Sequence, residues 1–246
     1  MSIENLSLIS RKTYKYNDNI IINIPTLRQV RGENDSEESM FWSDINLFVQ
    51  TPSDMISELD SMGIDFEQVS DYELFILLFF MRKKTDNKHD SILFKNLSLW
   101  DLEITDIEGK TVFVDSSGTT IIDETVYNDI AQIISTFTGH KRTPKKKFGN
   151  AFAKKKRIEQ DYRQKEKARN SKKQQSNFLD SIILRLVCNA NFPYNFETIQ
   201  DVTIYDLIYS LKQIDKDIEV TDLMQSRLVG NDLTKIPREQ LSRFIL

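Results

Sequence analysis

A mainly helical α+β architecture follows from three features of the chain. Apolar residues recur at helical spacing through most of it, one stretch switches to the two-residue period of strands, and one long lysine-rich stretch has almost no apolar face. These features divide the 246 residues into three parts. Residues 1–140 read as an N-terminal helical lobe with a small antiparallel β-meander, 141–175 as a long basic helix, and 176–246 as a C-terminal helical lobe. A hydrophobic content of 39% with 15 Phe is enough to fill a core.

The elements can be justified in order. Ile20-Ile21-Ile22-Asn23-Ile24 reads as a short strand or an apolar latch, and Pro25 stops any helix there. Residues 31–39 are polar and acidic and read as a loop. Phe41, Trp42, Ile45, Phe48 and Val49 then form one apolar face of a helix over 40–49. Thr51-Pro52 resembles an N-cap followed by proline at the first helical position, with Met55, Ile56, Leu59 and Met62 inward and Gly63 as the stop. Ser70-Asp71-Tyr72-Glu73 is a capping-box pattern. It precedes an eight-residue apolar run over 74–81, expected to be buried on all sides.

Between residues 100 and 123 β-branched residues take over. Leu102-Glu103-Ile104, Thr111-Val112-Phe113-Val114 and Thr119-Thr120-Ile121-Ile122 are separated by Glu108-Gly109-Lys110 and Ser116-Ser117-Gly118, a three-stranded meander with tight turns. Asp123 caps the next helix, with Val126, Ile130, Ile133, Ile134 and Phe137 inward and Gly139 at its end. Beyond the basic segment, Phe178, Leu179, Ile182, Ile183, Leu186 and Val187 form one stripe and Ile204, Leu207, Ile208, Leu211 and Ile214 another. A short final helix is expected from Pro237, carrying Leu241, Phe244 and Ile245.

Charge is segregated along the chain. Residues 141–173 hold 15 of the 33 Lys and Arg and three of the 37 Asp and Glu, a local net of +12 against −16 for the remainder. Residues 150–175 contain no Pro or Gly and would form a rod roughly 39 Å long. Glu159–Arg163 and Asp161–Lys165 are i,i+4 pairs in the favourable order. Phe152, Ile158 and Tyr162 are too few apolar residues to bury such a rod.

Signatures of catalysis and metal binding fail on inspection. Cys188 is the lone cysteine, and His89 and His140 lie far from it in polar stretches, so neither a disulfide framework nor a Cys–His pair is encoded. Gly109-Lys110-Thr111 lacks the upstream glycine of a phosphate-binding loop, since position 104 is Ile. Asp215-x-Asp217-x-Glu219 has Val220 where a calcium loop needs Gly and Ser226 where it needs Glu. Asp54, Glu58, Asp60, Asp65, Glu67, Asp71 and Glu73 read as helix-capping and solubilising carboxylates. No catalytic residue, cofactor or metal is assigned. The N-terminal stretch lacks the basic-then-apolar pattern of a secretory signal, and no apolar run approaches the roughly 20 residues of a membrane span, so a soluble protein is expected.

Three readings of the basic rod remain open: phosphates of a nucleic acid, an acidic protein surface (including that of a second copy), or a solvated linker. Several motifs bear on the choice. Thr51-Pro52-Ser53-Asp54-Met55, Leu59-Asp60-Ser61-Met62-Gly63-Ile64-Asp65-Phe66, Asp71-Tyr72-Glu73-Leu74-Phe75, Asn191-Phe192-Pro193-Tyr194 and Ile204-Tyr205-Asp206-Leu207 occur in this order. Together they resemble virion-associated and tail-assembly proteins of tailed phages of Gram-positive bacteria, over about residues 50–240. The resemblance implies a non-enzymatic morphogenesis protein, tail-assembly-chaperone-like or a minor virion component. Such a protein acts in the host cytoplasm during assembly, or within the virion. Its expected partner is another virion or tail protein, with nucleic acid as the alternative, self-association allowed and no membrane. The expected contact residues are Lys145, Lys146, Lys147, Lys154, Lys155, Lys156, Arg157, Arg163 and Lys167.

Overall fold

The computed structural model describes residues 8–32, 35–84, 91–145, 147–171, 178–190 and 192–228. In chain order these form β1 (Thr13–Lys15), β2 (Ile21–Asn23), α1 (Leu27–Arg31), α2 (Asp35–Val49), α3 (Ile56–Ser61), α4 (Asp71–Lys83), β3 (Glu103–Ile107), β4 (Lys110–Val114), β5 (Ile121–Ile122), α5 (Glu124–Thr138), α6 (Ala151–Ser171), α7 (Phe178–Val187) and α8 (Ile204–Leu228). A 3₁₀ turn, Thr198–Asp201, leads into α8. Helices dominate, and the two sheets are small and antiparallel: β1 with β2, and β3-β4-β5. The fold is therefore a mostly helical α+β one, as the patterning predicts.

Local chemistry accounts for several boundaries. Ser70 accepts the Glu73 N–H at 3.1 Å while the Glu73 carboxylate accepts the Ser70 N–H at 2.7 Å, closing the capping box that starts α4. Asp123 accepts the Val126 N–H at 2.8 Å and starts α5, which Gly139 ends in the left-handed region at φ 66°. Glu108 and Gly109 both have positive φ, 52° and 75°, so the β3–β4 hairpin closes through a two-residue turn whose twist matches the strands.

Aromatic rings fill the centre of the core. Phe75 lies 4.7 Å from Tyr127, 4.8 Å from Phe113 and 5.1 Å from Phe48, centroid to centroid. Two phenols anchor backbone around them: the Tyr72 hydroxyl reaches the Thr111 and Ile122 carbonyls at 2.9 and 3.0 Å, and the Tyr127 hydroxyl donates to the Phe48 carbonyl at 3.2 Å. The helix α4 is thereby fixed to the meander and α5 to the end of α2.

The structure departs from the sequence reading in four places. The polar stretch before residue 40 is largely helical, because α1 occupies Leu27–Arg31 and α2 begins at Asp35. Thr51-Pro52 does not start a helix: Asp54 Oδ2 accepts from the Thr51 N–H and Oγ–H at 2.9 and 2.8 Å, holding a tight turn, and α3 begins at Ile56. The helix α4 is not buried all round, since Phe80 is 50% exposed beneath the Lys84 ammonium. Finally, the two ends of the chain do not build separate cores. Leu179, Ile182, Ile183 and Leu186 of α7 and Ile204, Leu207 and Ile208 of α8 belong to the same cluster as Leu27, Phe48, Phe75 and Ile134. Their stripes match the apolar surface left by α1, α2 and α5. Strand-like bonds reinforce the junction, with the Leu27 N–H donating to the Val202 carbonyl and the Ile204 N–H to the Pro25 carbonyl, each at 2.9 Å. The expected helix from Pro237 lies outside the described residues.

The central ring gives a test of this packing. Phe75→Ala is expected to cost about 3–5 kcal/mol of unfolding free energy in urea titration. Phe80→Ala, on the same helix but half exposed, should cost under about 1 kcal/mol.

Candidate functional site

The basic segment leaves α5 as an extended strap and returns as α6 alongside α3. Each step is pinned by a residue of the acidic stretch 51–71. The Arg142 guanidinium meets Asp71 at 2.6 Å and lies 5.7 Å from the centre of the Tyr127 ring. Thr143 Oγ donates to Asp54 Oδ1 at 2.6 Å, Ser53 Oγ to the Pro144 carbonyl at 3.1 Å, and the Phe148 N–H to Glu67 at 2.6 Å. The Phe148 ring packs edge-on against Phe66 at 6.1 Å, within a small second core of Ile56, Leu59, Phe66 and Leu74 that Ile158 also joins. Asn150 accepts the Ala153 N–H at 2.7 Å and caps the start of α6.

Two lysines of α6 are consumed internally. The Lys154 ammonium lies 2.5 Å from Asp65, 3.0 Å from Glu67 and 5.2 Å from the centre of the Phe66 ring. At the start of α3, the Lys165 ammonium contacts Glu58, Asp161 at 2.8 Å and the Asp54 carbonyl at 2.9 Å. Among the described side chains of the helix Asp161 is the most enclosed charge, 6% exposed. Its Oδ2 accepts from the Ser57 N–H at 3.1 Å and the Ser57 hydroxyl at 2.7 Å. The N-cap of α3, Met55, offers no side-chain acceptor, so Asp161 supplies that helix with its cap from across the interface. Tyr162 adds a hydroxyl bond to the Ser57 carbonyl at 2.9 Å.

Titration follows this geometry. Burial pushes the Asp161 carboxyl up, but the Lys165 ammonium and the two Ser57 donors outweigh it and hold it below the ordinary range. Asp65 is held down by Lys154 and the Glu67 N–H, and Glu67 by the Phe148 N–H and Lys154. Lys154 is desolvated, yet Asp65 and Glu67 raise its pKa.

The opposite side of α6 is different. At 100° per residue Lys156, Arg163 and Lys167 fall within about 40° of one another, along about 16 Å of helix. All three are exposed and make no ion pair with a described residue, and the same holds for Lys155 at the edge of the stripe. Phe152, 78% exposed, stands at the N-terminal end of the same face. Of the other expected contact residues, Lys145 and Lys147 are exposed in the strap, Arg157 is half-buried at the edge of the docked side, and Lys146 lies outside the described residues. Lys154 belongs to the docked side and is removed from the contact set, because its charge is already matched.

The sequence suggests only local caps and solubilising groups for the acidic residues of 54–73. Glu73 is a cap, but Asp54, Glu58, Asp65, Glu67 and Asp71 receive the strap and α6. The signal that could have found this is compositional: residues 51–73 hold seven carboxylates and no Lys or Arg. Among the described residues no group of three or more His, Cys, Asp or Glu could hold a metal ion, and no helix is long and apolar enough to cross a membrane. His140 and Cys188 are exposed, and His89 lies outside the described residues. Comparison with known proteins adds no relative: no family model matches the chain, nor does any curated protein or solved structure.

The internal charge pairs predict an acid-sensitive interface. Because Asp161, Asp65 and Glu67 have lowered values in the folded state, their contribution is complete above the ordinary carboxylate range near pH 4 and is lost as pH falls through the folded values. Carboxylate-detected NMR titration should show Asp161 titrating below the ordinary Asp range, with α6 amide signals shifting in the same step. At neutral pH, Asp161→Ala should cost about 1–3 kcal/mol, because the Ser57 N–H and Lys165 lose an acceptor.

Proposed function

We propose that this chain is a non-enzymatic phage morphogenesis protein that docks an anionic surface of another virion or tail protein through the outer face of α6. One observation carries this reading. The helix α6 is neutralised on one side by the protein's own carboxylates, while Lys155, Lys156, Arg163 and Lys167 on the other side meet none among the described residues. Glu159 flanks this face, but a helix needed only as a linker gains nothing from turning Lys156, Arg163 and Lys167 to one side, where Arg163 and Lys167 repel at i,i+4 spacing. A row of this kind steers an acidic partner and fixes its register.

The resemblance of the flanking motifs to tail-assembly proteins supplies the class of partner. A tail-assembly chaperone or minor virion component works in the host cytoplasm while particles are built, and needs surface rather than a reaction centre. The exposed Phe152 beside the cationic row favours a second reading, an accessory protein that contacts nucleic-acid phosphates and stacks one base.

The two readings separate experimentally. In a pull-down with purified tail proteins, K155E/K156E/R163E/K167E should abolish capture, whereas K154M should retain it. Unchanged capture by the fourfold variant would sink the docking face. Mobility shift on random DNA at several salt concentrations tests the alternative: phosphate binding by four cations gives a log–log salt slope of about −3 to −4. No shift at low salt leaves the protein partner.

A further inference from the structure

The β3–β4 hairpin has a property unrelated to α6. The strand β3 is the edge of its sheet, and no described residue pairs with its outer side. All five of its residues are exposed, including Ile104 at 39% and Ile107 at 42%. It contains no Pro and no Lys, the residues that usually block edge-to-edge pairing.

The register decides what can pair there. Ile107 faces Lys110 across a two-residue turn, so 107–110, 105–112 and 103–114 are the hydrogen-bonded pairs of the hairpin. Residues 103, 105 and 107 therefore bond inward, and the N–H and C=O groups of Ile104 and Asp106 point outward. An antiparallel copy of β3 satisfies these groups only in registers that place even residues opposite even residues. Centring the pair on Asp106 puts two carboxylates face to face. Centring it on Ile104 calls on the Leu102 carbonyl, which the Lys83 ammonium already occupies. Centring it on Thr105 has neither fault.

We infer that β3 is a self-association edge. Two copies of this chain pair antiparallel about a two-fold axis at Thr105, joining their meanders into a six-stranded sheet. Ile104 then exchanges both backbone bonds with Asp106 of the other copy, and Thr105 faces its own counterpart as a non-hydrogen-bonded pair. Asp106 is held toward β4 by the Thr111 hydroxyl at 3.0 Å, which keeps its charge off the seam. On the other face Glu103 lies opposite Ile107 of the second copy, and beyond that Ile stands its Lys110. Two strands span about 9.6 Å, a gap that Glu and Lys side chains bridge over the Ile. The two-fold axis repeats this ion pair, so the edge is complementary to itself in charge as well as in hydrogen bonding.

The full-length chain tests this directly. Sedimentation equilibrium should show the weight-average mass rising about twofold with concentration, in the weak range expected for a small interface. T105K places two ammonium groups on the axis and should weaken association at least tenfold, with an unchanged circular dichroism spectrum. E103K should also weaken it, and E103K/K110E should restore it. In a C188S background, T105C should oxidise to a dimer linked at position 105, because facing non-hydrogen-bonded residues lie within disulfide reach, about 4.5 Å between Cα atoms. I107C in the same background should not. A chain that stays monomeric at all concentrations, or a dimer that T105K leaves intact and T105C does not link, overturns the inference.

Discussion

The contact between Asp161 and Ser57 organises the basic part of this protein. A carboxylate taken out of water costs several kcal/mol unless charge and hydrogen bonds replace its hydration. Asp161 receives both, from the Lys165 ammonium and from the N–H and O–H of Ser57. The same bonds complete the start of α3, whose own N-cap residue cannot do so. Each helix thus supplies what the other lacks. Lys154 with Asp65 and Glu67, and Arg142 with Asp71, extend the match along the strap.

This arrangement fixes which cations remain outside. A helix has one direction facing its support and one facing away, so pinning Lys154, Asp161 and Lys165 inward turns Lys156, Arg163 and Lys167 outward. Hydrophobic burial contributes little to that orientation, since among the described apolar residues of the 141–171 stretch Phe148 and Ile158 are those packed on the small second core. Polar contacts therefore dominate the rotation of α6, with Ile158 the apolar contact on the same docked side.

Local pattern made much of the fold legible. The β-branched run of 111–114 between its turns, the capping box at Ser70 and the Asp123 to Gly139 helix all state their structure within a few residues. The start of α3 is ambiguous in the sequence, because Thr51-Pro52 suits a turn as well as a helix start and the choice depends on the Asp54 side chain. The site was half legible. Its net charge and helical form can be counted along the chain, but its facing cannot, because Ser57 and Asp161 are 104 residues apart and no local period records their meeting. The core shared by the two ends of the chain is hidden for the same reason, since two apolar stripes look alike whether they cover each other or a third element.

The junction between the start of the chain and α8 bears on how the protein is made. Ser10 donates its N–H to Asp206, 196 residues later, and Arg28 meets Asp201 at a separation of 173. Leu27 and Val30, both fully enclosed, sit beside these contacts. On the ribosome, α2 covers α1 only in part, and the rest of its apolar side must wait for the residues from Ile199 to Ile208. Native closure is thereby deferred until α8 has left the ribosome, and a nascent chain halted after α6 would display a sticky surface to any chaperone within reach.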